Sequence, residues 1–388
     1  MLILRHRNVP QKYWRIKRLV MNQKKGCGVI FAIPDLGGGG AEKIFVSLIA
    51  EFKMRDVKLL CLLGSNQKAY DLPKKTRIIK IGTGSALQRI TRICTIVQRE
   101  KPKAVISFRP QMNLDMIVAR MKTNIDRLIL THHTTMSSMG EKADRYGSLV
   151  RRINRFYPLA DAIVAVSEGV KNDLVRNLGL PTEKVSVIYN GIDVDKINRL
   201  AGETVREHPW FNEAIPVIVN IGSLRYQKGH IYLLRAFAKL RRKTECRLVI
   251  LGKGPLAGDL KLTTKRLGIE KSVCFLGFQK NPYKFLKRAS VFVLSSVCEG
   301  FPTAVLEAMA VGVPVVSTDC KSGPREMIKN GVSGILVPPA NAAALADATK
   351  KILLEEEYAK RLASRARKEV DRYNIQTCAD RYIALLRG

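Results

Sequence analysis

Glu299 and Glu307 stand at either end of a short segment, Gly300-Phe301-Pro302-Thr303, that follows the apolar run Val291-Phe292-Val293-Leu294. Such a run suits a buried strand, and helical spacing resumes after Gly300, so the segment reads as a strand-to-helix loop. Pro302 suits an early helical position, where a missing N–H costs nothing, and Thr303 suits a cap. The free N–H groups near residues 300–304 would then face the space above the strand's C-terminal end, where phosphate groups bind readily. Glu299 lies in the loop and Glu307 about one turn inside the helix. A carboxylate beside a phosphate cradle is better suited to sugar hydroxyls than to phosphate, and the combination points to a nucleotide sugar.

Three further stretches could do related chemistry. In GSLRYQKG, residues 222–229, Arg225 and Lys228 follow a strand and can meet a developing negative charge. In LILTHHTT, residues 128–135, a strand ends in His132 and His133, of which only one easily faces a cleft. In DLGGGGAEK, residues 35–43, Gly39 and Gly40 precede a helix and could let a phosphate approach the backbone.

The block EGFPTAVLEAMAVGVPVVSTD, residues 299–319, resembles the family 4 retaining glycosyltransferases, whose E-x7-E pattern Glu299 and Glu307 match. The resemblance extends over about residues 28 to 385. It implies that Glu307 holds the ribose hydroxyls of the nucleotide and that Glu299 contacts hydroxyls of the transferred sugar. The backbone of Gly300, Phe301, Pro302 and Thr303 would hold the diphosphate. Lys228 matches a diphosphate-binding cation of the family's G-R-L-x-x-x-K-G segment, but Ser223 stands where Arg is expected, so Arg225 is the candidate substitute. GGGGAEK, with Gly39 and Gly40, is similar to the family's glycine loop beside the reaction centre. His133 is the first candidate, and His132 the second, for the histidine that contacts the donor sugar. Gly252 and Gly254 resemble the G-x-G-P turn beside the nucleotide. Asp193-Val194-Asp195 falls between the halves, and no metal is assigned to it; the family generally works with neither metal nor cofactor.

The resemblance also implies two Rossmann-like, doubly wound α/β domains facing across a cleft, the GT-B fold. The residue pattern agrees, since short apolar strands alternate with helical segments in both halves. Strands are expected near Gly28–Ile33, Val57–Leu63, Arg77–Ile81, Ala104–Phe108, Arg127–Thr131, Ala162–Val166 and Val185–Tyr189 in the first half. In the second they fall near Val217–Ile221, Arg247–Leu251, Val273–Leu276, Val291–Leu294, Val313–Ser317 and Gly334–Val337. Regular patterning lapses from Tyr189 to Pro216. The expected division is a basic extension over 1–25, an acceptor-side domain over 26–200 and a nucleotide-sugar-binding domain over 201–372. Residues 373–388 would form a helix crossing back to the first domain.

The 67 Lys and Arg against 33 Asp and Glu, a formal charge of +34, favour a phosphate-rich partner. No nucleic-acid motif accompanies them, which turns the expectation toward an anionic membrane surface rather than nucleic acid. Residues 1–25 carry eight Lys or Arg and no acid. Gln11–Met21 reads as a short basic amphipathic helix, a disordered tail, or sequence upstream of a start at Met21. No apolar run reaches the roughly 18 residues of a membrane span, and the cysteines, without a C-x-x-C pair, read as reduced cytoplasmic thiols.

The expected enzyme is a retaining hexosyl- or N-acetylhexosaminyltransferase that takes a nucleoside diphosphate sugar, a UDP-sugar by preference. Its acceptor would be a glycan or a polyprenyl-diphosphate-linked sugar in bacterial surface-glycan synthesis, met at the inner face of the cell membrane. A sugar-nucleotide epimerase would need more proton-transfer groups around the sugar than His132, His133 and Glu299. A non-catalytic nucleic-acid binder is the other rival, distinguished by salt-sensitive binding without transfer.

Overall fold

The computed structural model describes residues 28–65, 69–137 and 143–387; the basic extension over 1–25 and its three readings lie outside them. Seven parallel strands build the first sheet: β1 (Val29–Ile33), β2 (Leu59–Leu63), β3 (Arg77–Lys80), β4 (Ala104–Phe108), β5 (Leu128–His132), β6 (Ala162–Ala165) and β7 (Val185–Val187). Six more build the second: β8 (Val217–Ile221), β9 (Arg247–Leu251), β10 (Val273–Gly277), β11 (Val291–Leu294), β12 (Val315–Thr318) and β13 (Ile335–Val337). Strands β1, β4, β5, β6, β11 and β12 are buried at every residue. A parallel sheet covered by helices on both faces demands that continuous apolar character. β3, at the sheet edge, instead carries exposed Arg77 and Lys80, which discourage pairing with another chain.

The strand order is β3-β2-β1-β4-β5-β6-β7 in the first sheet and β10-β9-β8-β11-β12-β13 in the second. Chain direction across each sheet reverses between β1 and β4 and between β8 and β11. Those two reversals open the crevices in which doubly wound folds bind ligands. The loops after β1, β4, β8 and β11 therefore carry the site.

Several expected boundaries shift by a residue or two, and three of the shifts have plain local reasons. β5 runs one residue further than Arg127–Thr131, which takes His132 into the strand. β12 starts later than Val313, because Val313 N–H donates to the Ala308 carbonyl and Gly312, at φ 83°, closes the preceding helix in the left-handed conformation. Pro314, next to it, has no N–H to give a ladder. The last helix is Ile375–Leu385, capped by Asn374, whose side chain accepts the Gln376 N–H. It buries Ile375, Cys378 and Tyr382 in one cluster with Phe45, Leu48 and Ile49 of helix Gly40–Met54. Arg55 ties that contact by pairing with both Glu51 and Asp380. Within the stretch of lapsed patterning, helix Val194–Ala201 packs on helices Tyr283–Lys287 and Thr303–Val311 of the second half. Asp193 is spent as its cap, accepting the Lys196 N–H at 2.9 Å.

Candidate active site

Helix Thr303–Val311 starts directly over the end of β11. Its cap position is Pro302, and no side chain caps it, so Thr303 is the first helical residue rather than the cap. The open N-terminus carries the partial positive charge of the helix dipole toward the crevice. Phe301 turns its ring the other way, into a cluster with Tyr189 and Tyr373 at centroid distances of 5.1 and 5.4 Å. Phe301 thus anchors the loop through its side chain and leaves only its backbone to the crevice.

The loops after β8 and β11 are locked together. Gln227 O accepts the Val297 N–H at 2.9 Å, and Ser295 Oγ donates to Lys228 O at 2.9 Å. Gly229 has φ 60°, and a Cβ there would lie 2.1 Å from Ser295 O, so the contact admits only glycine. Lys228 is thereby held beside Glu299, Nζ to Oε1 at 2.5 Å. Ser296 Oγ donates to the same Oε1 at 2.6 Å. Among the described residues Oε2 of Glu299 has no partner, so one oxygen is fixed and the other is open to a hydroxyl. Arg225 is exposed and its guanidinium joins no ion pair among the described residues. Gly252 and Gly254 back the site: a Cβ at either would run into Gly222 O or Leu224 O, at 1.9 and 2.4 Å. Ser322 donates its hydroxyl to Glu299 O, and Gly323 after it is the cap of helix Pro324–Met327.

The first half closes over this surface. A Cβ at Gly40 would lie 3.7 Å from Thr303 Oγ1, so the starts of helices Gly40–Met54 and Thr303–Val311 meet across the cleft. Gly39 is the cap position of its helix. Gly300 approaches the His133 carbonyl so closely that a Cβ would sit 2.2 Å from that oxygen. His133 is half-buried, its ring stacked on Phe108 at 5.5 Å and its Nε2 2.9 Å from Thr131 Oγ1. Burial, then His132 and Arg109, pull its pKa down to about 3, so it is a neutral imidazole at physiological pH. His132 is fully buried beside Tyr157, and burial holds it near a pKa of about 4 despite Asp173. Of the two, His133 is the one at the cleft.

Four residues that sequence reasoning passed over complete the arrangement. Lys43 crosses the cleft to Glu307, Nζ to Oε1 at 2.6 Å, with the two side chains 23% and 2% exposed. Arg109, at the end of β4, donates one nitrogen to Asp35 at 3.0 Å and Glu42 at 2.9 Å. Arg109 sits at φ 72° immediately before Pro110, a strained conformation costing about 1–3 kcal/mol of the kind that collects at functional sites. Burial raises the Glu42 pKa and Arg109 opposes the rise. A signal for Lys43 did exist, since a cation in the first turn opposes the helix dipole. For Arg109 the Arg-Pro pair at a strand end gave only a boundary.

Residues 38–196 match the family described as Glycosyltransferase Family 4, and residues 203–369 match Glycosyl transferases group 1. Over 366 residues the chain is 30% identical to a Campylobacter jejuni enzyme, covering 90% of this chain and 98% of the relative. That relative is N-acetylgalactosamine-N,N'-diacetylbacillosaminyl-diphospho-undecaprenol 4-alpha-N-acetylgalactosaminyltransferase. The chain belongs to the group 1 glycosyltransferases. Its GT-B fold is shared by sucrose-phosphate synthase of Thermosynechococcus elongatus, with a TM-score of 0.81 at 18% identity over 93% of this chain and 98% of that one. It is shared too by Anabaena HepE in complex with UDP-glucose, with a TM-score of 0.78 at 19% identity over 93% and 99% of the two chains. In this glycosyltransferase, the crevice between the halves is where Glu299, Glu307, Lys228, His133 and the helix start at Thr303 converge.

Proposed function

We propose that this glycosyltransferase transfers a hexosyl or N-acetylhexosaminyl group from a UDP-sugar, with retention, to a hydroxyl of a lipid-linked or polysaccharide acceptor. The observation that carries the reading is the convergence of two carboxylates, each with one oxygen tied to a lysine and the other open, around an uncapped helix start. The open oxygens suit the ribose at Glu307 and the transferred sugar at Glu299, and the helix start with Lys228 suits the diphosphate between them. In the proposed reaction the bond from the anomeric carbon to the β-phosphate oxygen breaks, and its electron pair leaves with the diphosphate. The acceptor oxygen bonds to the same face of that carbon, and its proton passes to the departing phosphate oxygen. Glu299 is engaged by Lys228 and Ser296, which suits sugar binding better than nucleophilic attack. The acceptor would lie on the side of Asp35, Glu42 and Arg109, a mixed-charge group able to accept from and donate to hydroxyls.

A panel of nucleotide sugars, each incubated with the enzyme and a candidate acceptor, tests this reading by released nucleotide and product anomeric configuration. Release of UDP with an α-linked product from an α-linked donor is expected. An epimerised donor without transfer, or nucleic-acid binding without any nucleotide release, would replace the reading by one of its rivals.

The membrane part of the proposal is supported by charge and by the relative's diphospho-undecaprenol-linked acceptor. No helix of the described residues is long and apolar enough to cross a membrane. Helix Ala143–Phe156 exposes Arg151, Arg152 and Arg155 on one surface of the first half. Each cation near an anionic leaflet is worth about 1 kcal/mol, and salt screens the attraction. Full-length protein and a version beginning at Met21 should both sediment with phosphatidylserine-containing vesicles at low salt and neither with neutral vesicles. Loss of binding only in the shorter version would assign attachment to the first 20 residues, and no binding by either would remove the membrane from the proposal.

A further inference from the structure

Lys43 holds a place that neither local helix chemistry nor the core explains. It lies in the first turn of helix Gly40–Met54, where the macrodipole disfavours a cation and where its neighbour Glu42 is the residue that suits the position. Its Nζ reaches 2.6 Å from Oε1 of Glu307 on the opposite half and 4.7 Å from the centre of the Tyr283 ring. Burial alone would lower the lysine's pKa, but the Glu307 carboxylate, with Tyr283 and Tyr70 beside it, more than offsets this and holds Lys43 charged. Glu307 is 2% exposed, and among the described residues only its Oε1 is engaged. A carboxylate so buried cannot keep its charge cheaply without a cation, and the second half supplies none to it.

We propose that Lys43 is a positioning residue for the donor: from the first half it holds the Glu307 carboxylate with Oε2 presented to the ribose, so that donor affinity depends on the cleft being closed. This rests on the reading of Glu307 as ribose anchor. The donor site is then composite, completed only when the helix starts at Gly40 and Thr303 come together. When the cleft opens, Glu307 loses its cation, its grip on the ribose weakens and the spent nucleotide can leave.

The test is calorimetric titration of full-length Lys43→Met, Lys43→Arg, Glu307→Ala, Glu307→Gln and the Lys43→Met/Glu307→Gln pair with UDP, GDP and ADP, alongside thermal melts. For the nucleotide that wild type binds most tightly, Lys43→Met should weaken binding about tenfold or more, as loss of a charged hydrogen bond does. Lys43→Arg should restore binding to within about threefold, and adding Glu307→Gln to Lys43→Met should cost less than the two changes made separately. A Lys43→Met protein that melts earlier yet binds the nucleotide as wild type does, while Glu307→Ala binds poorly, overturns the inference alone. Unchanged binding in Glu307→Ala as well would overturn the ribose-anchor reading beneath it. Should Lys43→Met lack a melting transition, Lys43→Gln takes its place with the same expected and opposing results.

Discussion

Glu307→Ala abolishes detectable transfer and weakens nucleoside diphosphate binding by about 1.5–3 kcal/mol, the range for a hydrogen bond to a charged group. The carboxylate sits at the middle of helix Thr303–Val311, 2% exposed, with Oε1 on Lys43 and Oε2 open. Removing it takes away the proposed ribose acceptor and also strands the lysine of the other half, so the closed cleft loses a contact at the same moment. Glu307→Gln separates the two effects, because it keeps the shape and one acceptor while removing the charge that Lys43 requires. Glu299→Gln is the comparison across the loop: there the loss should fall on turnover and less on nucleotide binding, since that residue is the one proposed to face the transferred sugar. The measurement is nucleotide binding by calorimetry beside transfer rates. Wild-type affinity and rate in Glu307→Ala would remove the basis for this site.

Lys228→Ala lowers turnover by about 2.7–4 kcal/mol, as deletion of a preorganised group at a developing charge does. The lysine is fixed by three contacts, namely Ser295 on its carbonyl, Gly229 in the left-handed turn after it, and Glu299 on its ammonium at 2.5 Å. A charge so placed costs no reorganisation when the diphosphate departs. The loss should therefore appear in kcat more than in donor KM, and Lys228→Arg should recover only part of it, because a planar guanidinium does not fit a point-charge site. Arg225→Ala is the informative companion, since Arg225 is exposed and Ser223 stands where the family has Arg. A near-normal rate in Arg225→Ala would mean that Lys228 and the helix start serve the leaving group without it. A near-normal rate in Lys228→Ala would overturn the electrostatic part of the mechanism.

The strands were legible as elements because a parallel sheet buried on both faces needs continuous apolar runs, and Val291–Leu294, Ala104–Phe108 and Val217–Ile221 are bounded as their composition dictates. Glu299, Glu307 and Lys228 were legible as candidates for a related reason: Glu299 and Lys228 lie in strand-to-helix loops and Glu307 lies just inside the helix that follows, where short-range spacing sets what the backbone presents. The choice between His132 and His133 was not, since one residue more or less in β5 exchanges core for cleft, and only pairing with β6, His132 opposite Ala165, settles the register. The partner of Lys43, the contacts of Arg109 and the approach of Gly300 to His133 were decided by tertiary structure. Lys43 and Glu307 are 264 positions apart, and Gly300 meets a carbonyl from the other sheet. No local pattern encodes such partners. They are brought together by how two sheets pack and close, through the apolar faces of helices that read, one at a time, only as helices.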